Sequence, residues 1–221
     1  EQMQAGVHVT QTLGDFTRVS SKSPFWCLFL LKLIRATRPS VCLELGTGVG
    51  ISGAYQAAAL EMNGQGKLTT LEGSPELSDI ARANFARLEL KAVEVVTGRF
   101  QDRLPGVLQD AKSIDHVFID GHHDGRATLS YFSQILPFLT DKAIVVFDDV
   151  AWSREMTEAW QSIAGNDQVD LALDLDSMGL CVCHAQQPSG SIPRCSTISE
   201  RLEQDAQKSA GTKMNPGYPA K

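Results

Sequence analysis

Four side chains in the second half of the sequence have types and spacing that could do chemistry: Asp120, His123, Asp148 and Asp149. Asp120 and the Asp148–Asp149 pair each follow a short apolar run typical of a buried strand. If these strands are neighbours, their ends lie about 4.8 Å apart, at the edge where α/β proteins bind ligands. Three carboxylates so close repel one another unless a proton or a cation compensates.

A hard divalent ion such as Mg²⁺ prefers oxygen ligands of this kind. We therefore predict a divalent metal site at Asp120, Asp148 and Asp149. A simpler alternative stays open, in which Asp120 only contacts a cofactor and Asp149 only caps the following helix.

A glycine-rich segment, ELGTGVG at residues 44–50, lies between a predicted strand and a predicted helix. Glycines there allow a tight turn and a close approach of a ligand to the backbone. Gly48, Gly50 and Gly53 also match the GxGxxG pattern of dinucleotide-binding turns. The glycines alone do not separate the two ligand classes.

Glu44 distinguishes between them. A dinucleotide would place its pyrophosphate near this turn, where a carboxylate repels it, whereas S-adenosylmethionine carries a cationic ammonium and sulfonium. Glu72 ends the next predicted strand, where a carboxylate can accept hydrogen bonds from ribose hydroxyls in either ligand. Two structural alternatives stay open: Glu44 as a solvated acid beside a turn, and Glu72 as an acid favoured by a helix N-terminus.

The elements that must position these residues alternate between strands and helices. Apolar runs predict strands at residues 40–45, 68–71, 93–96, 115–119 and 143–147. Apolar periodicity and capping residues predict helices at 51–62, 74–88, 126–139 and 153–163. The segments 169–173 and 180–183 predict an antiparallel hairpin. We expect an α/β, doubly wound, mostly parallel seven-stranded sheet with a C-terminal antiparallel hairpin.

ELGTGVG followed by LEGSPE at 71–76 resembles motif I and its successor in class I S-adenosylmethionine-dependent methyltransferases. IDGHH at 119–123 and FDDVAWSREMTEAW at 147–160 are similar to bacterial small-molecule O-methyltransferases. The resemblance covers residues 39–183. It implies a cofactor site along the glycine turn and the next three strand ends, formed by Glu44, Gly46, Thr47, Gly48, Gly50, Glu72, Gly73, Arg99, Phe100 and Asp120.

The resemblance also implies the chemistry. In metal-dependent O-methyltransferases the ion binds the acceptor hydroxyl, lowers its pKa and aligns its oxygen with the methyl group. This sequence has Asp-Asp at 148–149 where catechol-type enzymes have Asp-Asn, and it lacks their lysine after the first Asp. Asp120-Gly-His-His123 is closer to the Asp-x-x-His pattern of metal-dependent sugar O-methyltransferases. That pattern implies His123 as general base, with Asp120 beside it in the catalytic set.

Composition bounds the remaining properties. The chain has 221 residues, 43% of them hydrophobic, and a formal net charge of −6, which favours one globular domain without a general attraction to nucleic acid. The longest apolar run, residues 25–31, is far shorter than the roughly 20 residues of a membrane span, so we interpret it as a buried helix. We expect an N-terminal helical or lid segment at 1–38, a core at 39–184 and a flexible polar tail at 185–221.

Four of the five cysteines lie in apolar segments, which predicts reduced core thiols in a cytoplasmic protein. The apolar segment around Trp26 is a candidate homodimer surface. The leading hypothesis is O-methylation of a small-molecule hydroxyl assisted by Mg²⁺. The alternatives are metal-independent N- or C-methylation, an NAD-binding oxidoreductase, and a non-catalytic cofactor-binding module. The sequence does not define the methyl acceptor.

Overall fold

The computed structural model describes residues 21–185 and the single residue 14. The predicted polar tail, Cys195 and nearly all of residues 1–20 lie outside the described residues. In residues 21–185 no helix combines the length and the apolar character that a membrane span needs.

Six helices and seven strands alternate along the described chain. The helices are α1 (Pro24–Thr37), α2 (Ile51–Asn63), α3 (Pro75–Arg87), α4 (Phe100–Ala111), α5 (Gly125–Ile135) and α6 (Arg154–Ala164), with a short 3₁₀ turn at Leu136–Phe138. The strands are β1 (Val41–Leu45), β2 (Lys67–Glu72), β3 (Val93–Thr97), β4 (Ile114–Ile119), β5 (Leu139–Asp148), β6 (Val169–Leu175) and β7 (Met178–Cys183).

All seven strands form one sheet in the order β3-β2-β1-β4-β5-β7-β6. The first five strands are parallel, whereas β7 runs antiparallel to β5 and to β6. The predicted fold class, including the C-terminal hairpin, is confirmed. Strand order reverses between β1 and β4, and this switch point is where open α/β sheets bind ligands.

The alternation of side chains along each strand divides the core into two layers. Leu43 and Leu45 of β1 pack with Leu104 of α4 and Tyr131 of α5 on one face of the sheet. On the opposite face, Phe118 of β4 packs against Leu30 of α1. Every second residue along β4 counted from Phe118, together with its register partners on the neighbouring strands, therefore points toward α1. This alternation decides where the functional side chains lie.

Helix α4 was not predicted. Its sequence, FQDRLPGVLQDA, contains Pro105 and Gly106, two residues that usually interrupt helices. The structure forms the helix because Leu104 and Leu108 bury one side of it against the sheet. Tertiary packing has overridden local propensity.

Two other boundaries differ from the prediction. The helix expected at 126–139 ends at Ile135, because Pro137 follows and residue 139 already belongs to β5. Helix α1 is buried on only one side, through Cys27, Leu30 and Ile34. Phe25 is 69% exposed, so the apolar run forms the predicted helix but is buried on one side only. The dimer surface stays a prediction.

Candidate active site

A cavity of about 730 Å³ lies at the carboxyl ends of the strands, beside the switch point. The loops after β1, β2, β3 and β4 form its wall, together with Ser21 and Lys22 from the segment ahead of α1. The cavity therefore runs from the glycine turn to the acidic end of β4. Its lining includes most of the predicted cofactor residues, namely Gly46, Thr47, Gly48, Glu72, Gly73, Arg99, Phe100 and Asp120.

The glycine turn is tight because the ends of β1 and β4 leave no room for a side chain. Gly46 has a φ of +106°, and a Cβ on it would lie 1.9 Å from the backbone oxygen of Asp120. Gly50, the N-cap residue of α2, also has a positive φ. The close-packed strand-to-helix turn that the glycines predict is thus explained by the contact between the two strand ends.

Glu72 joins the turn to the next loop. Its Oε2 accepts a 2.8 Å hydrogen bond from the backbone N–H of Gly48, and Oε1 accepts a 2.9 Å bond from that of Ser74. Burial raises the pKa of Glu72, while these backbone N–H groups oppose the rise. The carboxylate orders the rim of the cavity and keeps further acceptor capacity on both oxygens.

Glu44 lies elsewhere than the sequence argument assumed. Its side chain is fully buried behind the turn and is not part of the cavity wall. It accepts hydrogen bonds from Ser52 Oγ (2.8 Å), Gln56 Nε2 (2.6 Å) and Thr70 Oγ1 (2.6 Å). Burial raises its pKa to about 7, and the three hydrogen bonds oppose this rise. Glu44 therefore lies beneath the turn and not in the cavity wall, and its role toward a cofactor stays a prediction.

The loop after β3 supplies one end of the cavity. Phe100 is buried and makes an edge contact with His122, at 5.3 Å between ring centroids. The side chain of Arg99 is 78% exposed and pairs with Asp102 at 2.9 Å. Gly50 does not belong to the cavity lining. Its contribution is to the backbone of the turn.

The acidic residues meet as the sequence predicts. Strands β4 and β5 are neighbours, and Ile119 is in register with Phe147, so Asp120 and Asp148 follow at adjacent strand ends. Asp120, His123 and Asp148 each offer a ligand atom, and these atoms lie within 4.8 Å of one another. Asp120 lies two residues after Phe118, and Asp148 lies two residues after Val146, the register partner of Phe118. Both side chains therefore face the α1 side.

Asp149 lies at the edge of the acidic cluster, beside Lys22 and His123, and its role as a metal ligand stays a prediction. Its backbone takes a left-handed φ of +52°, and its Oδ2 lies 3.1 Å from His123 Nδ1. The structure therefore groups His123, rather than Asp149, with Asp120 and Asp148. Asp149 is not the cap of α6, because Ser153 accepts the capping hydrogen bond from the N–H of Met156.

Burial also tunes the titratable groups. It raises the pKa of Asp120 to about 7, with Lys22 opposing this rise and Asp149 adding to it. Burial lowers the pKa of His123, against the opposing influence of the Asp149 carboxylate. His123 is therefore neutral near pH 7 and able to accept a proton or bind a metal.

Lys22 also belongs to the acidic cluster, which the sequence analysis did not predict. Its Nζ donates a hydrogen bond to Asp148 Oδ2 and lies 3.6 Å from Asp149 Oδ1 and 3.9 Å from Asp120 Oδ1. Lys22 precedes Asp148 by 126 positions, so no local spacing links the two. The one sequence feature that could have drawn attention to Lys22 was its position just ahead of the helix that begins with Pro24.

Trp152 projects beyond His123 on the loop after β5. Its ring centroid lies 6.0 Å from that of His123, and the residue is 70% exposed. Trp152 is not part of the cavity wall. Trp160, by contrast, is buried in the core, as its helical spacing predicts.

The comparison with protein families adds an independent observation. Residues 43–150 match the sequence model of a family described as a methyltransferase domain. This span contains the glycine turn, Glu72 and the whole acidic cluster. Residues 43–150 are therefore similar to this methyltransferase domain family.

The chain is similar to catechol O-methyltransferases. It is 34% identical over 132 residues to the enzyme of Niastella koreensis, covering 59% of this chain and 58% of that protein. It is 32% identical to the Mycobacterium tuberculosis enzyme, covering 55% of this chain and 53% of that protein. The chain thus spans a little over half the length of these curated relatives.

A solved structure extends the similarity to the fold. The O-methyltransferase from Bacillus cereus, crystallised in complex with S-adenosylhomocysteine (SAH), matches with a TM-score of 0.61 and 26% identity. The match covers 74% of this chain and 83% of that one. The chain therefore shares its fold with an O-methyltransferase whose structure was determined in complex with SAH.

Proposed function

We propose that this chain transfers a methyl group from S-adenosylmethionine to a hydroxyl oxygen of a small molecule, assisted by a divalent cation. The observation that carries the proposal is a single cavity lined by Gly48 at one end and by Asp120 and His123 at the other. A donor at the glycine turn and an acceptor at the acidic cluster would meet inside it, which is the positioning that methyl transfer requires. The O-methyltransferase names of the relatives support the same reaction.

The cavity suits the proposed methyl donor in size and chemistry. A volume of about 730 Å³ falls within the roughly 300–1,000 Å³ of small-molecule sites. Glu72 has lone pairs left for ribose hydroxyls, beyond its bonds to Gly48 and Ser74. The carboxylates at the other end favour a cationic sulfonium over a pyrophosphate. The same argument disfavours the NAD-dependent alternative.

The side chains at the acidic end fit a hard divalent ion. The partly buried carboxylate of Asp120 and the buried carboxylate of Asp148 are oxygen ligands that Mg²⁺ or Mn²⁺ accepts, and the His123 imidazole lies beside them. When bound, such an ion would lower the pKa of an acceptor hydroxyl and fix its oxygen. Asp149 would act on His123 rather than on the ion.

The His123–Asp149 pair supplies the proton transfer in this proposal. Contact between Nδ1 and the Asp149 carboxylate fixes the imidazole orientation and assigns proton acceptance to Nε2. Burial keeps the ring neutral near pH 7. The side chain is 30% exposed, so a hydroxyl in the cavity could reach it. Because Nε2 cannot bind the ion and accept a proton at once, His123 is the base in this proposal, and Asp120 and Asp148 hold the ion.

The test combines cofactor binding with turnover. Calorimetry with SAH should show binding, and incubation with S-adenosylmethionine, catechol and Mg²⁺ should give methylated catechol by mass spectrometry. Asp148→Asn should lower the turnover rate at least tenfold and leave SAH binding within about threefold, because Asp148 lies at the acceptor end. Asp170→Asn, an exposed aspartate paired with His184, is the charge-matched control. No heat with SAH would contradict the proposal, and turnover unchanged by EDTA would remove the metal from it.

A further inference from the structure

The space between the three aspartates already contains a positive charge. The ammonium group of Lys22 donates a hydrogen bond to Asp148 and lies within 4 Å of carboxylate oxygens of Asp120 and Asp149. The Lys22 side chain is only 15% exposed, and that of Asp148 is 1% exposed. This is the region that the ligand atoms of Asp120, His123 and Asp148 surround.

A divalent cation and this ammonium group cannot share the position. An ion bound to Asp148 would lie about 2.1–2.5 Å from a carboxylate oxygen, and Lys22 already contacts Oδ2 of that group. Two cations on the same oxygens repel each other strongly where water is largely excluded. Occupation by one therefore requires departure of the other.

The segment that carries Lys22 is suited to such a movement. Lys22 precedes the N-cap residue Ser23, whose side chain makes no capping hydrogen bond. The backbone oxygen of Lys22 accepts a 3.7 Å hydrogen bond from the thiol of Cys27, a weak interaction. Ser21 and Lys22 both line the cavity, so their displacement would change its wall.

We propose that Lys22 is a tethered competitor of the divalent cation, and that binding of the cation expels the Lys22 ammonium group from the aspartates. The inference rests on the metal-assisted function proposed above. In the metal-free protein Lys22 compensates the acidic cluster. On metal binding its segment leaves, and the cavity wall beside the acceptor end changes with it.

The first experiment measures cation affinity. Calorimetric titration with Mg²⁺ should show at least about tenfold tighter binding to Lys22→Met than to the unmodified protein, because an occupied site lowers apparent affinity by its occupancy. Lys32→Met, which removes an exposed lysine of α1, is the matched control and should bind as the unmodified protein does. Equal affinities for all three proteins would overturn the inference and leave the proposed function standing.

The second experiment separates expulsion from a general effect of charge. Amine acetylation of the unmodified protein, mapped by mass spectrometry, should modify Lys22 slowly without metal and several-fold faster with saturating Mg²⁺. Lys32 should react at the same rate in both. If Mg²⁺ binds while Lys22 stays protected, the ion does not displace it and the inference is wrong. If Mg²⁺ binds to neither the unmodified protein nor Lys22→Met, this inference and the metal both fail, whereas SAH binding would still support the methyl donor.

Discussion

At the scale of single residues, two glutamates one strand apart have different roles. Glu44 faces α2, and its oxygens accept hydrogen bonds from side chains of buried residues. Glu72 ends β2 and lies in the cavity wall, where it accepts backbone hydrogen bonds from Gly48 and Ser74. A carboxylate that orders the turn and also faces the cavity is the better candidate for ligand binding.

This difference predicts the effect of Glu72→Gln. The amide group has one acceptor oxygen instead of two, so it cannot keep both backbone hydrogen bonds and also accept from the ribose; the lost charged hydrogen bond to the ligand costs about 1.5–3 kcal/mol. SAH affinity should therefore fall about 10- to 100-fold in calorimetry. Glu94→Gln on β3, where the side chain is exposed and pairs with Lys67, is the control. A Glu72→Gln protein with unchanged affinity would exclude Glu72 from the cofactor site.

At the scale of elements, the site depends on how closely the ends of β1 and β4 approach. The turn after β1 passes against the backbone of Asp120, and the N–H of Asp120 donates to the oxygen of Leu45 at 2.8 Å. The same contact that closes the glycine turn also positions the first residue of the acidic cluster. Gly46 therefore fixes the position of the glycine turn relative to Asp120, and so relates one end of the cavity to the other.

Gly46→Ala should be severely destabilising. The new Cβ would lie 1.9 Å from the Asp120 oxygen, and φ of +106° is unfavourable for alanine. We expect a loss of about 3 kcal/mol or more in the free energy of unfolding, measured by urea denaturation. Gly73→Ala is the control, because a Cβ there has no heavy atom within 4 Å. Comparable stability of the two variants would contradict this account of the turn.

At the scale of the whole molecule, the core of the described residues contains a buried histidine whose ring nitrogens make no hydrogen bond. His116 on β4 is buried, and neither ring nitrogen has a hydrogen-bond partner among the described residues. It shares the face of the sheet that carries Phe118 and packs under α1. Burial lowers the pKa of His116 to about 4, so the folded protein holds it neutral.

This burial predicts a pH dependence of stability. Because the folded pKa is depressed below the ordinary value of about 6.5, the unfolded chain binds the additional proton as the pH falls. The stabilising contribution is complete above pH 6.5 and is lost between about pH 6.5 and pH 4, by up to about 1.4 kcal/mol per pH unit. Groups with raised pKa values, such as Glu44 and Asp120, act in the opposite direction.

The measurement is the difference between two proteins. Urea denaturation of the unmodified chain and of His116→Leu, at intervals from pH 7 to pH 4, should show that the variant loses less stability on acidification. The contributions of Glu44 and Asp120 are common to both proteins and cancel. Parallel pH profiles would show that His116 does not titrate as its burial implies.

Local patterns along the sequence determined most of the fold and the polar groups of the site. Apolar runs ending at Leu45, Ile119 and Phe147 predicted parallel strands, because both faces of such strands are buried. Since residues after parallel strands meet at one edge of the sheet, the grouping of Asp120 with Asp148 followed from the strand pattern. The glycine turn could also be predicted from the sequence, because residues other than glycine rarely adopt its backbone conformation.

Four features depended on the tertiary structure. Helix α4 forms despite Pro105 because packing of Leu104 against the sheet outweighs local propensity. The direction of the Glu44 side chain follows from where α2 lies, and the pairing of Asp149 with His123 follows from a left-handed backbone that spacing does not reveal. Lys22 reaches the aspartates across 126 positions of chain. A contact of that kind is decided by the packing of α1 on the sheet, and no sequence periodicity records it.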